Sequence, residues 1–103
     1  MATTIIRGTT PTIRFHYKNV HIEDITAAYL TIKQNKEVIV EKDMSEANIG
    51  EDSMSWLLSQ EETLGFKVGK VAIMHNWLLA DGTRGASKEN FIAIEDNHID
   101  EVI

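Results

Sequence analysis

Residues 59–87, which read SQEETLGFKVGKVAIMHNWLLADGTRGAS, decide the fold of this chain because several local signals agree within them. Ser59, with Glu62 three residues later, fits a capping box that begins a short helix. Gly65 can adopt the left-handed backbone conformation that ends such a helix. The Asp-Gly pair at 81–82 is typical of a turn between two hairpin strands. The segment predicts one helical turn, a long strand and a hairpin, without any arrangement of catalytic residues.

The longest predicted strand covers residues 68–80. Its apolar residues occur at both odd and even positions, so both faces are apolar, which favours a central place in a sheet. We expect the face that carries His75 and Trp77 to point into the core. The opposite face carries Met74 and Leu78.

Short segments with apolar residues at every second position fill the rest of the chain, and this period is typical of half-buried strands. They predict strands at residues 3–7, 12–18, 28–33, 37–42, 53–58 and 83–95. We expect Val38 and Val40 on one face of their strand and Ile39 on the other. A bulge is expected near Gly85, and residues 43–52 are predicted to form a loop.

About seven short strands with one helical turn, and no alternation of strands with helices, predict an all-β antiparallel sandwich. A small open barrel is the alternative architecture. The sandwich is predicted to occupy residues 1–95. Residues 96–103, DNHIDEVI, are predicted to be an acidic tail that adds an edge strand or protrudes.

The composition limits the partners of the chain. Its 103 residues are enough for one domain with one core. A net charge of -6 opposes binding to nucleic acid or to an anionic membrane surface, because both would repel the chain. No apolar run approaches the roughly 20 residues that cross a bilayer, and the N-terminus lacks a signal-peptide core, so we expect synthesis in the cytoplasm.

No set of residues predicts a catalytic, cofactor-binding or metal site. The chain has no cysteine, which excludes thiol nucleophiles and thiolate-bound zinc. The histidines at positions 16, 21, 75 and 98 lack the spacing of metal-binding motifs. We expect His75 to be a hydrogen-bonded histidine in the core or at a strand edge, and His16 to be exposed. The prediction is a protein that is not an enzyme and has no cofactor.

Three residues are predicted to contact a partner. Tyr29 shares a strand face with Thr31 and Lys33, whereas the other aromatic residues, Phe91 among them, are interpreted as core. Met74 and Leu78 are apolar residues on a nominally solvent-facing side, and such residues are often covered by another subunit. Tyr29, Met74 and Leu78 are therefore the predicted contact residues.

Five fragments, in their order along the chain, resemble small proteins of tailed bacteriophages and Gram-positive prophages. They are TPTIRFHY, LTIKQ, LLSQEETLGFKVGKVAI, WLLADGTRGAS and FIAIED. The same order is similar to the immunoglobulin-like N-terminal domain of phage baseplate upper proteins, from about residue 12 to residue 95. The resemblance implies an immunoglobulin-like sandwich that contacts other virion or tail proteins, or copies of itself. Because the chain ends near Ile103, whereas the baseplate proteins continue, a free-standing structural protein is expected.

The leading prediction is a non-enzymatic virion structural protein, or a tail or baseplate assembly protein, present in the host bacterial cytoplasm during synthesis and in the virion afterwards. A second hypothesis is a ligand-binding module, for carbohydrate, that uses Tyr29 or another exposed aromatic residue. An enzyme is the third, and it is disfavoured because no nucleophile, metal cluster or acid-base pair has the required spacing.

Overall fold

The computed structural model describes residues 4–103. In that range the strands are β1 (Thr4–Ile6), β2 (Thr12–His16), β3 (Ile25–Gln34), β4 (Glu37–Asp43), β5 (Asn48–Ile49), β6 (Ser53–Leu57), β7 (Gly69–Leu79), β8 (Arg84–Ala86) and β9 (Asn90–Glu95). One α-helix, α1 (Gln60–Leu64), follows β6, and 3-10 turns cover Ile22–Asp24 and Met44–Glu46. Residues 43–52, predicted as a loop, thus contain β5 and the second 3-10 turn. Thr3, predicted in the first strand, lies outside the described residues.

The strands form two sheets that pack face to face. The larger sheet has the order β1-β9-β7-β3-β4, with β8 also paired to β7, and the smaller has the order β2-β6-β5. The pairs are antiparallel, except that β1 is parallel to β9. Within residues 4–103 no strand pair joins the sheets, so the fold is a sandwich and not the alternative open barrel. The predicted all-β, immunoglobulin-like sandwich is confirmed.

Strand β7 occupies the centre of the larger sheet, as its two apolar faces predict. It pairs with β3 on one side and with β8 and β9 on the other. The face with His75 and Trp77 points inward, toward Trp56 of the smaller sheet. Leu30 of β3 is fully buried in the same layer. Removal of these large apolar side chains from water is the main stabilising contribution to the sandwich.

The capping box that begins α1 is present as predicted. Ser59 Oγ accepts a hydrogen bond from the backbone N–H of Glu62 at 3.1 Å. The Glu62 carboxylate in turn accepts a hydrogen bond from the backbone N–H of Ser59 at 2.8 Å. Gly65 is not left-handed, however, because its φ is -71°. The Arg7 guanidinium instead donates to the carbonyl oxygen of Leu64 at 2.9 Å. Arg7, which directly follows β1, therefore satisfies one of the carbonyls at the helix end that have no partner within the helix.

The predicted faces of β4 are wrong at Ile39. A bulge shifts the register between β3 and β4, so that Val38 and Val40 have partners on β3 and Ile39 has none. Ile39 packs against the core and Val38 is exposed. The extra residue breaks the two-residue alternation from which the faces were predicted.

The predicted strand at 83–95 is two strands, because residues 87–89 interrupt it. Ser87 forms two hydrogen bonds with His75 of β7 at this point. Its Oγ accepts a hydrogen bond from the backbone N–H of His75 at 2.9 Å, and its own N–H donates to the His75 carbonyl at 2.8 Å. The bulge expected near Gly85 is absent, since Gly85 is in register with Trp77. A Cβ at Gly85 would lie 2.3 Å from Cε2 of the indole, so the glycine allows the ring to lie against the backbone.

The acidic tail folds back onto the sandwich. Asp96 and Asp100 each form an ion pair with Nη1 of Arg7, at 3.0 and 2.7 Å. Near the end of the chain, the N–H of Ile103 donates to Oε1 of Gln60 at 2.8 Å. Residues 96–103 contain no strand. The tail thus neither adds an edge strand nor protrudes, because Arg7 and Gln60 hold it against α1.

Candidate functional site

The three predicted contact residues lie together on the outer face of the larger sheet. Tyr29 on β3 is opposite Asn76 on β7, so Met74 and Leu78, two residues to either side of Asn76, are its diagonal neighbours. Diagonal neighbours are about 7–8 Å apart, within reach of an aromatic side chain. Tyr29 is 47% exposed and Leu78 is 39% exposed, while Met74 is partly buried.

Phe91 extends this exposed surface, so the prediction that it is a core residue is wrong. It is opposite Ala72 on β7, which makes it a diagonal neighbour of Met74, and it is 61% exposed. The Nζ of Lys70 lies 5.7 Å from the centre of its ring. The alternation of side chains along β9 indicates this exposure. Ile94 faces the core, and residues an odd number of positions apart on a strand face opposite ways, so Phe91, three residues away, faces outward.

We name Tyr29, Met74, Leu78 and Phe91 the outer apolar surface. A depression of about 220 Å³ lies beside Tyr29, and one of about 440 Å³ lies beside Phe91. Lysine side chains line the second depression. Both are open hollows at the sheet surface, whereas small-molecule sites are usually enclosed clefts. The geometry therefore suits a broad contact better than the capture of a small molecule.

On the opposite face of β7, His75 is enclosed by aromatic rings. It is 1% exposed. Phe15 stacks on the imidazole with the ring centres 4.5 Å apart, and the rings of Trp56 and Trp77 lie at 5.3 and 5.1 Å. Three strands, β2, β6 and β7, contribute these rings, so the cluster joins the two sheets.

Both ring nitrogens of His75 have a hydrogen-bond partner. Nδ1 lies 3.0 Å from the carbonyl oxygen of Tyr29, so Nδ1–H donates a hydrogen bond to that oxygen. Nε2 accepts a hydrogen bond from the hydroxyl group of Tyr17, whose oxygen is 2.5 Å away. Burial lowers the pKa of His75, although the bond to the Tyr29 carbonyl opposes the shift. Burial also raises the pKa of Tyr17 to about 12. Both groups are therefore neutral near pH 7, and the prediction of a hydrogen-bonded core histidine is confirmed.

The other histidines are not brought into a cluster. His16 is exposed as predicted, with Nδ1 3.9 Å from a carboxylate oxygen of Asp52, and Nδ1 of His21 is 4.0 Å from Glu23. Within residues 4–103, no three His, Cys, Asp or Glu side chains are grouped so that they could hold a metal ion. In the same range, no helix has the length and apolar character needed to span a membrane. The outer apolar surface is the candidate functional site.

Comparison with known proteins gives a likeness of fold. No protein-family model matches the chain, and no curated protein matches it. Among solved structures, the chain is similar to CopC from Methylosinus trichosporium OB3b, with a TM-score of 0.62 and 11% sequence identity. The match covers 95% of this chain and 87% of that chain. At this identity the likeness shows the β-sandwich fold alone.

Proposed function

We propose that this chain is a non-enzymatic structural or assembly protein of a bacteriophage or prophage virion, and that it acts through protein–protein contacts. Its partners are other virion or tail proteins, or further copies of itself. It is made in the host bacterial cytoplasm and then joins the tail or baseplate. The resemblance of five sequence fragments, in their order along the chain, to phage and prophage proteins supports the phage setting.

The outer apolar surface is the observation that carries the proposal. Its four residues form a continuous row of diagonal neighbours across β3, β7 and β9. Contiguous apolar patches of this kind are uncommon on monomers and often mark protein contacts. Tyrosine, phenylalanine and methionine are also enriched at the centres of protein interfaces. Glu41 and Asp43 of β4, which are opposite Thr31 and Tyr29, lie at the rim, where a polar border is expected.

A pull-down against the virion proteins encoded beside this chain tests the proposal. Leu78→Lys places a charge in the outer apolar surface, and Leu57→Lys is the matched control, because Leu57 is also an exposed leucine on a strand, but in the other sheet. We expect the unaltered chain and the Leu57 variant to retain a virion protein and the Leu78 variant to lose it. A strict monomer that retains none of these proteins, or equal retention by both variants, would contradict the proposal.

A second candidate function is carbohydrate binding, which the exposed ring of Tyr29 favours. Asp43 and Asn76 are opposite Tyr29 on the two neighbouring strands, so hydrogen-bonding groups border the ring. A glycan array, with Tyr29→Ala as the control, tests this function. Binding that the substitution abolishes would favour it, and no signal across the array would remove it.

A further inference from the structure

Strand β2 is the least protected edge in the sandwich. It pairs with β6 alone among the described strands, so one side of it is open. Proteins usually protect such edges by keeping them short or by inserting a bulge. Here β1 and β8 have three residues each, β5 has two, and β4 carries its bulge at Ile39. In contrast, β2 has five residues and pairs with β6 without a register shift.

The open side of β2 presents unpaired backbone groups. The carbonyl of Pro11 accepts the N–H of Leu58 at 2.9 Å, so residues 11, 13 and 15 direct their backbone groups toward β6. Backbone groups alternate in direction along an antiparallel strand, and those of Thr12, Arg14 and His16 therefore point away from β6. No partner for these groups is found within residues 4–103. Together they match the spacing that a further strand would need.

An apolar groove of about 220 Å³ lies beside this edge, between β2 and β9. Ile13 and Phe15 line it from the smaller sheet, and Ile5, Ile73 and Ile92 line it from the larger sheet. A strand paired with β2 would direct every second side chain into the groove, on the same face as Ile13 and Phe15. We name the open edge of β2 together with this groove the β2 site.

The opposite face of β2 is basic. Arg14 and His16 project from it, and Lys18 follows in the sequence. Arg14 forms no ion pair with any described residue, whereas His16 lies 3.9 Å from a carboxylate of Asp52. Opposite charges stabilise residues that face one another across two strands, and like charges destabilise them. A second copy that paired β2 with β2 would bring the same basic side chains together, so a second copy is a poor occupant.

We propose that the β2 site binds an extended segment of another protein by strand addition. The segment carries apolar residues opposite Ile13 and Phe15, and Asp or Glu opposite Arg14 and His16. Backbone hydrogen bonds to the open edge supply affinity, and the groove selects the apolar side chains. Phe91 also lines the groove and is the one residue that the β2 site shares with the outer apolar surface. The two tests stay separate, because Leu78, substituted in one, lies outside the β2 site, and Arg14, substituted in the other, lies outside the outer apolar surface.

Selection from a display library of short random segments, using the full chain as bait, tests the β2 site. Arg14→Pro removes the outward N–H and obstructs an added strand, but it breaks no hydrogen bond to β6. Arg14→Glu leaves the edge intact and reverses the charge. Each enriched segment is then synthesised and added to the chain, and amide hydrogen exchange is followed at Thr12, Arg14 and His16.

We expect enriched segments that alternate apolar and acidic residues and that bind Arg14→Pro about tenfold or more weakly. With Arg14→Glu the selected charge changes from acidic to basic, and the synthetic segments slow exchange at the three outward amides of unaltered β2. No enriched segment, equal binding to Arg14→Pro, or an acidic preference that Arg14→Glu does not change would overturn the proposal. So would self-association through β2 that Arg14→Pro abolishes. If Arg14→Pro does not fold, the charge reversal and the amide exchange decide.

Discussion

The two faces of β7 differ in how far their side chains are buried and bonded. On the inner face, His75 is 1% exposed, both its nitrogens are hydrogen-bonded, and aromatic rings surround it. On the outer face, Met74 and Leu78 face solvent beside Tyr29. One strand therefore carries a face that holds the sheets together and a face that is available to a partner. Substitutions on the inner face should cost stability, and substitutions on the outer face should cost binding.

The largest difference in the free energy of unfolding should appear between substitutions at two adjacent residues of β3. Leu30 is fully buried and Tyr29 is exposed. Leu30→Ala should lower the free energy of unfolding by about 2–5 kcal/mol, because it leaves a cavity in the core. Tyr29→Ser should change it by no more than about 0.5 kcal/mol. Urea unfolding measures both values, and similar losses for the two variants would mean that the faces are not distinct.

A smaller loss of stability is expected from a substitution where β8 packs beside β7. Gly85→Ala should cost about 1–3 kcal/mol, because the added Cβ would collide with the ring of Trp77 and force the indole to move. Ala86→Val, on the exposed side of the same strand, is the control and should leave stability nearly unchanged. Thermal and urea unfolding measure the difference. If Gly85→Ala is as stable as the control, the close packing of Trp77 on β8 is not a constraint.

Removal of one tyrosine hydroxyl group should lower stability inside the sandwich and leave it unchanged on the outer face. Tyr17→Phe leaves Nε2 of buried His75 without a donor, and an unsatisfied buried acceptor costs about 1–3 kcal/mol. Tyr29→Phe removes the hydroxyl of the exposed tyrosine and should have almost no effect on unfolding. Equal stability of the two variants in urea would show that the Tyr17–His75 bond contributes nothing.

A pH dependence should follow from the inner face. His75 has a pKa below its ordinary value of 6.5 because it is buried, so the unfolded chain binds a proton at a higher pH than the folded chain does. Its contribution to stability is therefore complete above pH 6.5 and declines as the pH falls below that value, by at most about 1.4 kcal/mol per pH unit. Urea unfolding at several pH values measures the decline. It should shrink in His75→Gln and persist in His98→Gln, and an unchanged decline in His75→Gln would contradict the assignment.

The sequence predicts those parts of the fold that local chemistry controls. The Ser59–Glu62 capping box, the turn at 81–82 and the inward face of β7 are present because each depends on neighbouring residues. The errors occur where distant residues intervene. Arg7 takes part in capping α1, a bulge turns Ile39 inward, and Ser87 interrupts the last strand, and none of these contacts is visible in a local pattern.

The candidate site was predicted in part, for the same reason. Alternation along two strands identified Tyr29, Met74 and Leu78, but only the register between β3 and β7 makes them neighbours. Phe91 was missed because four apolar residues in succession, at 91–94, hide which of them face the core. The β2 site depends on which strand becomes an edge, and that is a property of the assembled sheets.

The most direct test of the proposed function is the mass in solution of the chain mixed with the virion protein proposed as its partner, measured by size-exclusion chromatography with light scattering. The unaltered chain and Leu57→Lys should elute as a complex. Leu78→Lys should elute uncomplexed, with a free energy of unfolding within about 0.5 kcal/mol of the unaltered chain. A complex that forms equally well with Leu78→Lys would contradict the claim that the outer face of β7 is the functional surface.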